Sequence, residues 1–178
     1  MKHLLRLCVL LCCMVVFSAP ALAAGGLRPA SLCAEDEALI FTCPVAGDNL
    51  LSVCASQEFG PELGFLQYRY GPEGKSKMFL PTEKTVPAKA VQSGMLMFSG
   101  GGGAYLQFSE GTTMHTVYSA IGRWGEGGEG MERSGVVVKS DGKVVSDIRC
   151  QKEATSELGP EFFEKAGLSE TEDDFELP

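Results

Sequence analysis

The sequence predicts an all-β protein, an antiparallel β-barrel or sandwich of about eight to nine strands with a short C-terminal helix. Three observations lead to this class. Short apolar runs alternate with polar residues at a period of two, as strands do. Turn-forming residues separate these runs at regular spacing. Helical periodicity is almost absent from the chain.

Residues 1–23 have the composition of a signal peptide. Lys2 and Arg6 form a basic start, residues 7–17 are apolar, and Ala21-Leu22-Ala23 is a small-x-small cleavage site. The apolar run is shorter than a membrane-spanning helix requires. We therefore expect a periplasmic or secreted mature chain with no membrane insertion.

The charge of the chain bears on its partners. Removing two basic and no acidic residues with the signal peptide changes the formal net charge from −8 to −10. Because an acidic protein repels phosphate backbones, no nucleic-acid partner is expected. The negative charge would attract a basic protein partner by electrostatic steering. Alternatively, the negative charge only keeps the exported protein soluble.

Four cysteines remain in the mature chain, Cys33, Cys43, Cys54 and Cys150. An even number in an oxidising compartment predicts two disulfides, with three possible connectivities. We favour the nested pairing, Cys43 with Cys54 and Cys33 with Cys150, although strand parity does not settle it. No metal site is expected, since the spacings are wide and the mature chain has one histidine, His115.

One all-β domain is predicted over residues 24–168, beginning with an irregular lead-in over 24–37. Its candidate strands are 38–43, 50–55, 64–70, 77–80, 95–99, 104–108, 114–121, 135–140 and 143–150. Asp141-Gly142 is a strong two-residue hairpin signal. Residues 81–93 contain two prolines and predict a connection or weak edge strand. Residues 123–134 form a polar, glycine-rich loop with the only tryptophan, Trp124.

The C-terminal part is predicted to hold the one helix. Pro160 stands at its start and Gly167 just past its end, which is the usual asymmetry of helix termini. Phe162 and Phe163 are expected to dock on the β-domain. Residues 169–178 are expected to be an acidic, disordered tail.

The hairpin around the four glycines Gly100, Gly101, Gly102 and Gly103 is the centre of the functional hypothesis. A four-residue glycine loop would pair Phe98 with Tyr105, Met97 with Leu106 and Met95 with Phe108. Met95 and Met97 would then share the core face with Leu106 and Phe108. Tyr105 would stand at the rim of the loop beside Ser99.

Enzymatic motifs are weak in this chain, so no enzyme activity and no cofactor are expected. Residues 125–130 match G-x-G-x-x-G by letters, but no helix follows and their glutamates would repel a pyrophosphate. His115, Ser99 or Ser119, and Glu110 could supply a base, a nucleophile and an acid. No G-x-S-x-G elbow accompanies them, so a hydrolase is the least favoured class.

The stretch from Ser99 to Tyr105 resembles the loop of the periplasmic lysozyme inhibitors, which are exported all-β bacterial proteins. The resemblance covers about seven residues, with a longer glycine run in this chain. It implies that Ser99 and Tyr105 contact the catalytic acids of a basic lysozyme, while Gly100 matches the motif glycine. A second hypothesis is an immunity-type or envelope interaction module that makes contacts at Trp124 or Tyr68-Arg69-Tyr70.

Overall fold

The two sheets of the protein lie face to face as a β-sandwich. The computed structural model describes residues 28–171 and 175–177, and there ten strands form two separate five-stranded sheets. The all-β class is confirmed, and the sandwich rather than the barrel is the observed form. The proposed signal peptide lies outside the described residues. Within the described ranges, no helix is long and apolar enough to cross a membrane.

The strands and helices follow one another in the predicted order. The strands are β1 (Glu37–Val45), β2 (Asn49–Ser56), β3 (Leu66–Pro72), β4 (Met78–Leu80), β5 (Gln92–Phe98), β6 (Gly101–Glu110), β7 (Thr113–Gly122), β8 (Met131–Ser140), β9 (Lys143–Arg149) and β10 (Thr155–Ser156). The helices are α1 (Pro87–Ala90) and α2 (Pro160–Ala166). All nine predicted strands are confirmed, with ends that differ by up to four residues. β10 and α1 are too short for their periodicity to show in the sequence.

The second sheet is an antiparallel meander, and so are strands β1 to β4 of the first sheet, to which β10 adds antiparallel at the edge of β1. The spatial order is β10-β1-β2-β3-β4 in the first sheet and β5-β6-β7-β8-β9 in the second. Large, fully buried side chains fill the space between them, Phe41, Leu51, Leu66 and Tyr68 from the first sheet and Leu106, Phe108, Val117 and Val136 from the second. Helix α2 packs Phe162 and Phe163 onto this core, as predicted, and ends at Gly167 with a φ of 64°.

The disulfide pairing differs from the nested one, which is wrong. Cys33 bonds to Cys54, and Cys43 bonds to Cys150. Cys43 lies opposite Leu51 in the β1–β2 ladder and belongs to the core, whereas Cys54 lies opposite Leu39, beyond a register shift in β1. The two cysteines of this hairpin therefore do not meet. Cys43 instead joins the first sheet to the residue that follows β9.

The lead-in lies along the outer side of the first sheet. The hydroxyl of Thr42 donates a hydrogen bond to the Ala30 carbonyl at 3.0 Å, and the Leu32 N–H donates one to Ser52 Oγ at 3.1 Å. Leu32 is buried by this arrangement. The Cys33–Cys54 disulfide attaches the same segment covalently to β2. The lead-in thus covers polar side chains that would otherwise face solvent.

Arg69 is buried beneath the lead-in in an ion pair with Glu37. Tyr68, its neighbour, is 1% exposed in the core. The Tyr68-Arg69-Tyr70 stretch is therefore not a surface patch, and that part of the second hypothesis is wrong. Burial alone would raise the pKa of Glu37, but hydrogen bonds from Arg69, the Ala34 N–H and Lys84 outweigh it and lower the pKa to about 2.

The C-terminal segment was expected to be disordered, but its described residues lie against the second sheet. The Ser93 N–H donates a hydrogen bond to the Ser169 carbonyl at 2.9 Å, and the Thr171 N–H donates one to the Ser93 carbonyl at 2.8 Å. Phe175 is 6% exposed. The expectation for residues 172–174 and 178 falls outside the described residues.

Candidate functional site

The glycine hairpin has a two-residue turn, Ser99-Gly100, and not a four-residue loop. Phe98 pairs with Gly101, Met97 with Gly102, Met95 with Ala104 and Gly94 with Tyr105. The predicted pairs are therefore wrong. The side assignment survives, because the two registers differ by an even number of residues and side chains alternate at a period of two. Leu106 and Phe108 are core residues as expected. The expectation that Met95 and Met97 also lie in the core is wrong, because the observed register puts them at the exposed end of the same face.

The four glycines serve two different purposes. Gly100 alone among them has a positive φ, 83°, which the tight turn requires. A Cβ on Gly101 would lie 2.1 Å from the Ile121 carbonyl oxygen and 2.5 Å from the Phe98 ring. A Cβ on Gly103 would lie 2.4 Å from the Ser119 carbonyl oxygen. Gly101 and Gly103 are thus strand residues at which neighbouring atoms approach too closely for a side chain.

Exposed apolar side chains lie at the hairpin end of the second sheet, on the face that is turned toward the core. Met97 and Ile121 both pair with Gly102, one from each neighbouring strand. Met97 is 91% exposed, Ile121 60% and Met95 44%. We call Met95, Met97 and Ile121 the tip surface. Because the same face is buried at Ala104 and beyond, the tip surface is the part of this face that the first sheet leaves uncovered.

The outer side of the same end carries a stack of rings and one cation. Phe98 and Trp124 have ring centroids 5.4 Å apart, and Trp124 lies over Gly122, where a Cβ would be 2.6 Å from its ring. The Arg133 guanidinium lies 4.6 Å above the Trp124 ring. Within the described ranges, no carboxylate forms an ion pair with Arg133.

A groove of about 560 Å³ runs along this outer side. We call it the outer groove, and its lining is Met95–Phe98 of β5, Trp124, Arg133 and the C-terminal residues Phe175, Glu176 and Leu177. It combines apolar walls with a cation, which is the usual composition of a binding site. A second groove of about 600 Å³ lies between β1, β10 and α2, but none of the strongly exposed apolar side chains lines it.

The structure separates the two hydrogen-bonding residues of the predicted loop. Ser99 and Gly100 are exposed at the turn, whereas Gly102 and Gly103 are half-buried in β6. Tyr105 is 5% exposed, lies against Gly94 and packs its ring 5.2 Å from that of Phe175. The tip therefore presents Ser99 and not Tyr105.

The candidate catalytic residues are not brought together. His115 is 4% exposed, lies 5.6 Å from the Tyr68 ring, and its Nδ1 has no hydrogen-bond partner. Burial lowers the pKa of His115, against a smaller opposing effect of Glu110. Ser119 instead accepts a hydrogen bond from Ser134 at 3.2 Å. In the described part of the chain, no serine hydroxyl hydrogen-bonds to His115.

Sequence reasoning missed Phe98, Arg133 and Phe175 as site residues. A signal was present, because glycines and aromatic residues occur at matching parity on the outer face of β5 and β6, and Phe175 is the one aromatic residue of the acidic segment. No protein-family model matches this chain, and comparisons with curated proteins and with solved structures gave no match.

Proposed function

We propose that this protein is an exported, non-catalytic binding protein that contacts a protein partner through its tip surface. The observation that carries the proposal is the exposure of Met97 and Ile121 side by side across Gly102. Adjacent exposed apolar side chains of this size are a feature of protein interaction sites. A sheet end also holds its side chains in place before binding, which lowers the entropy lost on association.

Export is supported by the N-terminal composition and by the two disulfides. Disulfides form and persist in oxidising compartments such as the periplasm and the extracellular space. The formal net charge of −10 after signal removal favours basic partners by electrostatic steering.

Lysozyme inhibition is the particular form of this proposal that the loop resemblance implies. In this form the turn residues Ser99 and Gly100 enter the cleft of a basic lysozyme, flanked by Met97. Tyr105 is not among the contacts, since its side chain is buried under Phe175. Titration of the oxidised protein against c-, g- and i-type lysozymes tests this form. Absence of inhibition at micromolar concentration by all three rejects it and leaves the immunity-type or envelope interaction module.

The tip surface itself is tested by site-specific photocrosslinking in envelope extract of the source cells. One photoreactive residue replaces Ile121, and in a control it replaces Val145, which is 62% exposed near the other end of the sheet. We expect a discrete crosslinked partner from position 121 and none from position 145. The change Ile121→Glu in a protein labelled at Met97 should abolish that product. Equal crosslinking from positions 121 and 145 would contradict the proposal.

A further inference from the structure

The C-terminal segment occupies a site on the outer face of the second sheet. β5 is the outermost strand of that sheet, and Ser93 on its open edge pairs in parallel with Glu170. Two backbone hydrogen bonds, of 2.9 and 2.8 Å, flank this bridge. The segment therefore adds to the sheet edge as an extended peptide does in β-augmentation.

Phe175 is the anchor of this segment. Its ring lies 5.2 Å from that of Tyr105 and 5.6 Å from that of Tyr118. Leu96, Ala120 and Val137 complete the apolar cluster around it. All five residues around the Phe175 ring belong to strands β5 to β8. The socket for the ring is therefore built by the sheet and not by the segment.

A cation, Arg133, lies next to the socket although the protein is acidic. Arg133 lines the adjoining outer groove beside Glu176. Arg149 is neutralised by Asp147 at 3.0 Å, so the cation that this argument uses is Arg133, which lies 4.6 Å above the Trp124 ring. The segment from Ser169 to Glu176 carries five acidic residues and no basic one. The charges of the site and of its occupant are thus complementary.

The attachment of the segment is small. Its contacts include the β-bridge at Ser93, a hydrogen bond from the Ser93 hydroxyl to the Ser169 carbonyl, the buried ring of Phe175 and the partly buried Leu177. Both disulfides lie upstream of the segment, at or before Cys150. The outer groove still has room beside Phe175 and Leu177. A longer or better-fitting peptide could therefore fill more of the site than the chain's own segment does.

We infer that the outer face of β5, β6 and β7 is a peptide-binding site for an extended acidic segment of a partner protein with a phenylalanine anchor. The chain's own C-terminal segment occupies this site as an intramolecular competitor. The phenylalanine of the incoming peptide takes the Tyr105–Tyr118 socket, and its carboxylates face Arg133. This inference goes beyond the proposed function, because it concerns the face of the sheet opposite to Ile121. Met95 and Met97, on the edge strand β5, border both the tip surface and the outer groove.

Competition with a synthetic peptide tests the inference on the full oxidised chain. The probe is a fluorescein-labelled peptide with the sequence of residues 169–178, and the readout is fluorescence anisotropy. A tethered segment competes at an effective concentration in the millimolar range. We therefore expect the Phe175→Ala protein to bind the probe about tenfold or more tightly than the wild type. The same peptide with alanine in place of phenylalanine should not bind.

Two controls keep the outcome interpretable. Near-ultraviolet circular dichroism and disulfide mapping report whether Phe175→Ala folds. If it does not, a protease site inserted after Leu168 is cleaved in the folded, oxidised protein, and the released segment should exchange for the probe. The inference is overturned if neither protein binds the probe saturably, or if the wild type and Phe175→Ala bind it equally. Ile121→Glu, added to Phe175→Ala, should leave probe affinity unchanged, which separates this result from failure of the tip-surface proposal.

Discussion

The guanidinium of Arg69 donates hydrogen bonds to both carboxylate oxygens of Glu37, at 2.6 and 2.8 Å. The residues are 32 positions apart in the chain, and each is 6% exposed. Arg69 also donates to the Leu32 carbonyl at 2.9 Å and to Gln67 Oε1 at 3.0 Å. The pair therefore links β1, β3 and the lead-in, with its hydrogen-bonding groups satisfied in the absence of solvent.

Arg69→Met should destabilise the protein strongly. The change leaves the Glu37 carboxylate buried without its main partner, which typically costs about 3–5 kcal/mol. The matched control is Lys84→Met, because Lys84 also contacts Glu37, at 3.0 Å, but its side chain is 56% exposed. An exposed partner of this kind contributes about 0–1 kcal/mol. Urea unfolding of the two variants measures the difference, and equal losses would contradict the assignment of Arg69 as the main partner.

His115 should make stability pH-dependent near neutrality. Because burial lowers its pKa in the folded state, the unfolded chain binds the proton more tightly, and stability falls as the pH drops below the ordinary histidine value of 6.5. Glu37 loses its contribution in a lower window, between its ordinary 4.5 and about 2. Urea unfolding at pH 7.5 and pH 5.5 should show the loss in the wild type and not in His115→Gln. If the stability of His115→Gln fell between pH 7.5 and pH 5.5 as much as that of the wild type, His115 would not be the source of the pH dependence.

Gly103→Ala should destabilise the second sheet. The added Cβ would lie 2.4 Å from the Ser119 carbonyl oxygen and 2.5 Å from the Ala120 Cβ, and such overpacking typically costs about 1–3 kcal/mol. Gly130→Ala is the control, since its Cβ would meet nothing within 4 Å and its φ is not positive. Thermal unfolding should separate the two variants clearly. If Gly103→Ala were as stable as the wild type, this would indicate the predicted register, with a four-residue loop and Phe98 paired with Tyr105.

The two disulfides should differ in their contribution to stability. The Cys43–Cys150 bond spans 107 positions and the Cys33–Cys54 bond 21. In the chain-entropy model, closing a loop of about 100 residues is worth roughly 4.7 kcal/mol and a loop of about 15 residues roughly 3 kcal/mol. The double change of Cys43 and Cys150 to serine should therefore destabilise more than that of Cys33 and Cys54. Non-reducing peptide mapping checks the pairing directly.

Local chemistry made much of the fold predictable. Alternation of apolar residues indicated every strand longer than two residues, because the pleat imposes a period of two. The bounds of α2 followed from Pro160, which needs no amide donor at a helix start, and from Gly167, which adopts the positive φ of the cap. The shared face of Met97 and Leu106 was also correct for the same reason of parity.

By itself, the sequence determined the strands, their faces, the C-terminal helix and the presence of two disulfides. The tertiary structure alone decided the hairpin register, the disulfide partners and the place of Phe175. A shift by an even number of residues leaves every face unchanged, so only packing of the Phe98 ring against Gly101 and of Tyr105 against Gly94 distinguishes the registers. The disulfide partners depend on which side of a sheet the lead-in crosses, and the position of Phe175 depends on a socket built from four strands. Neither is encoded in a local pattern, because the atoms that decide them come together only when distant segments pack.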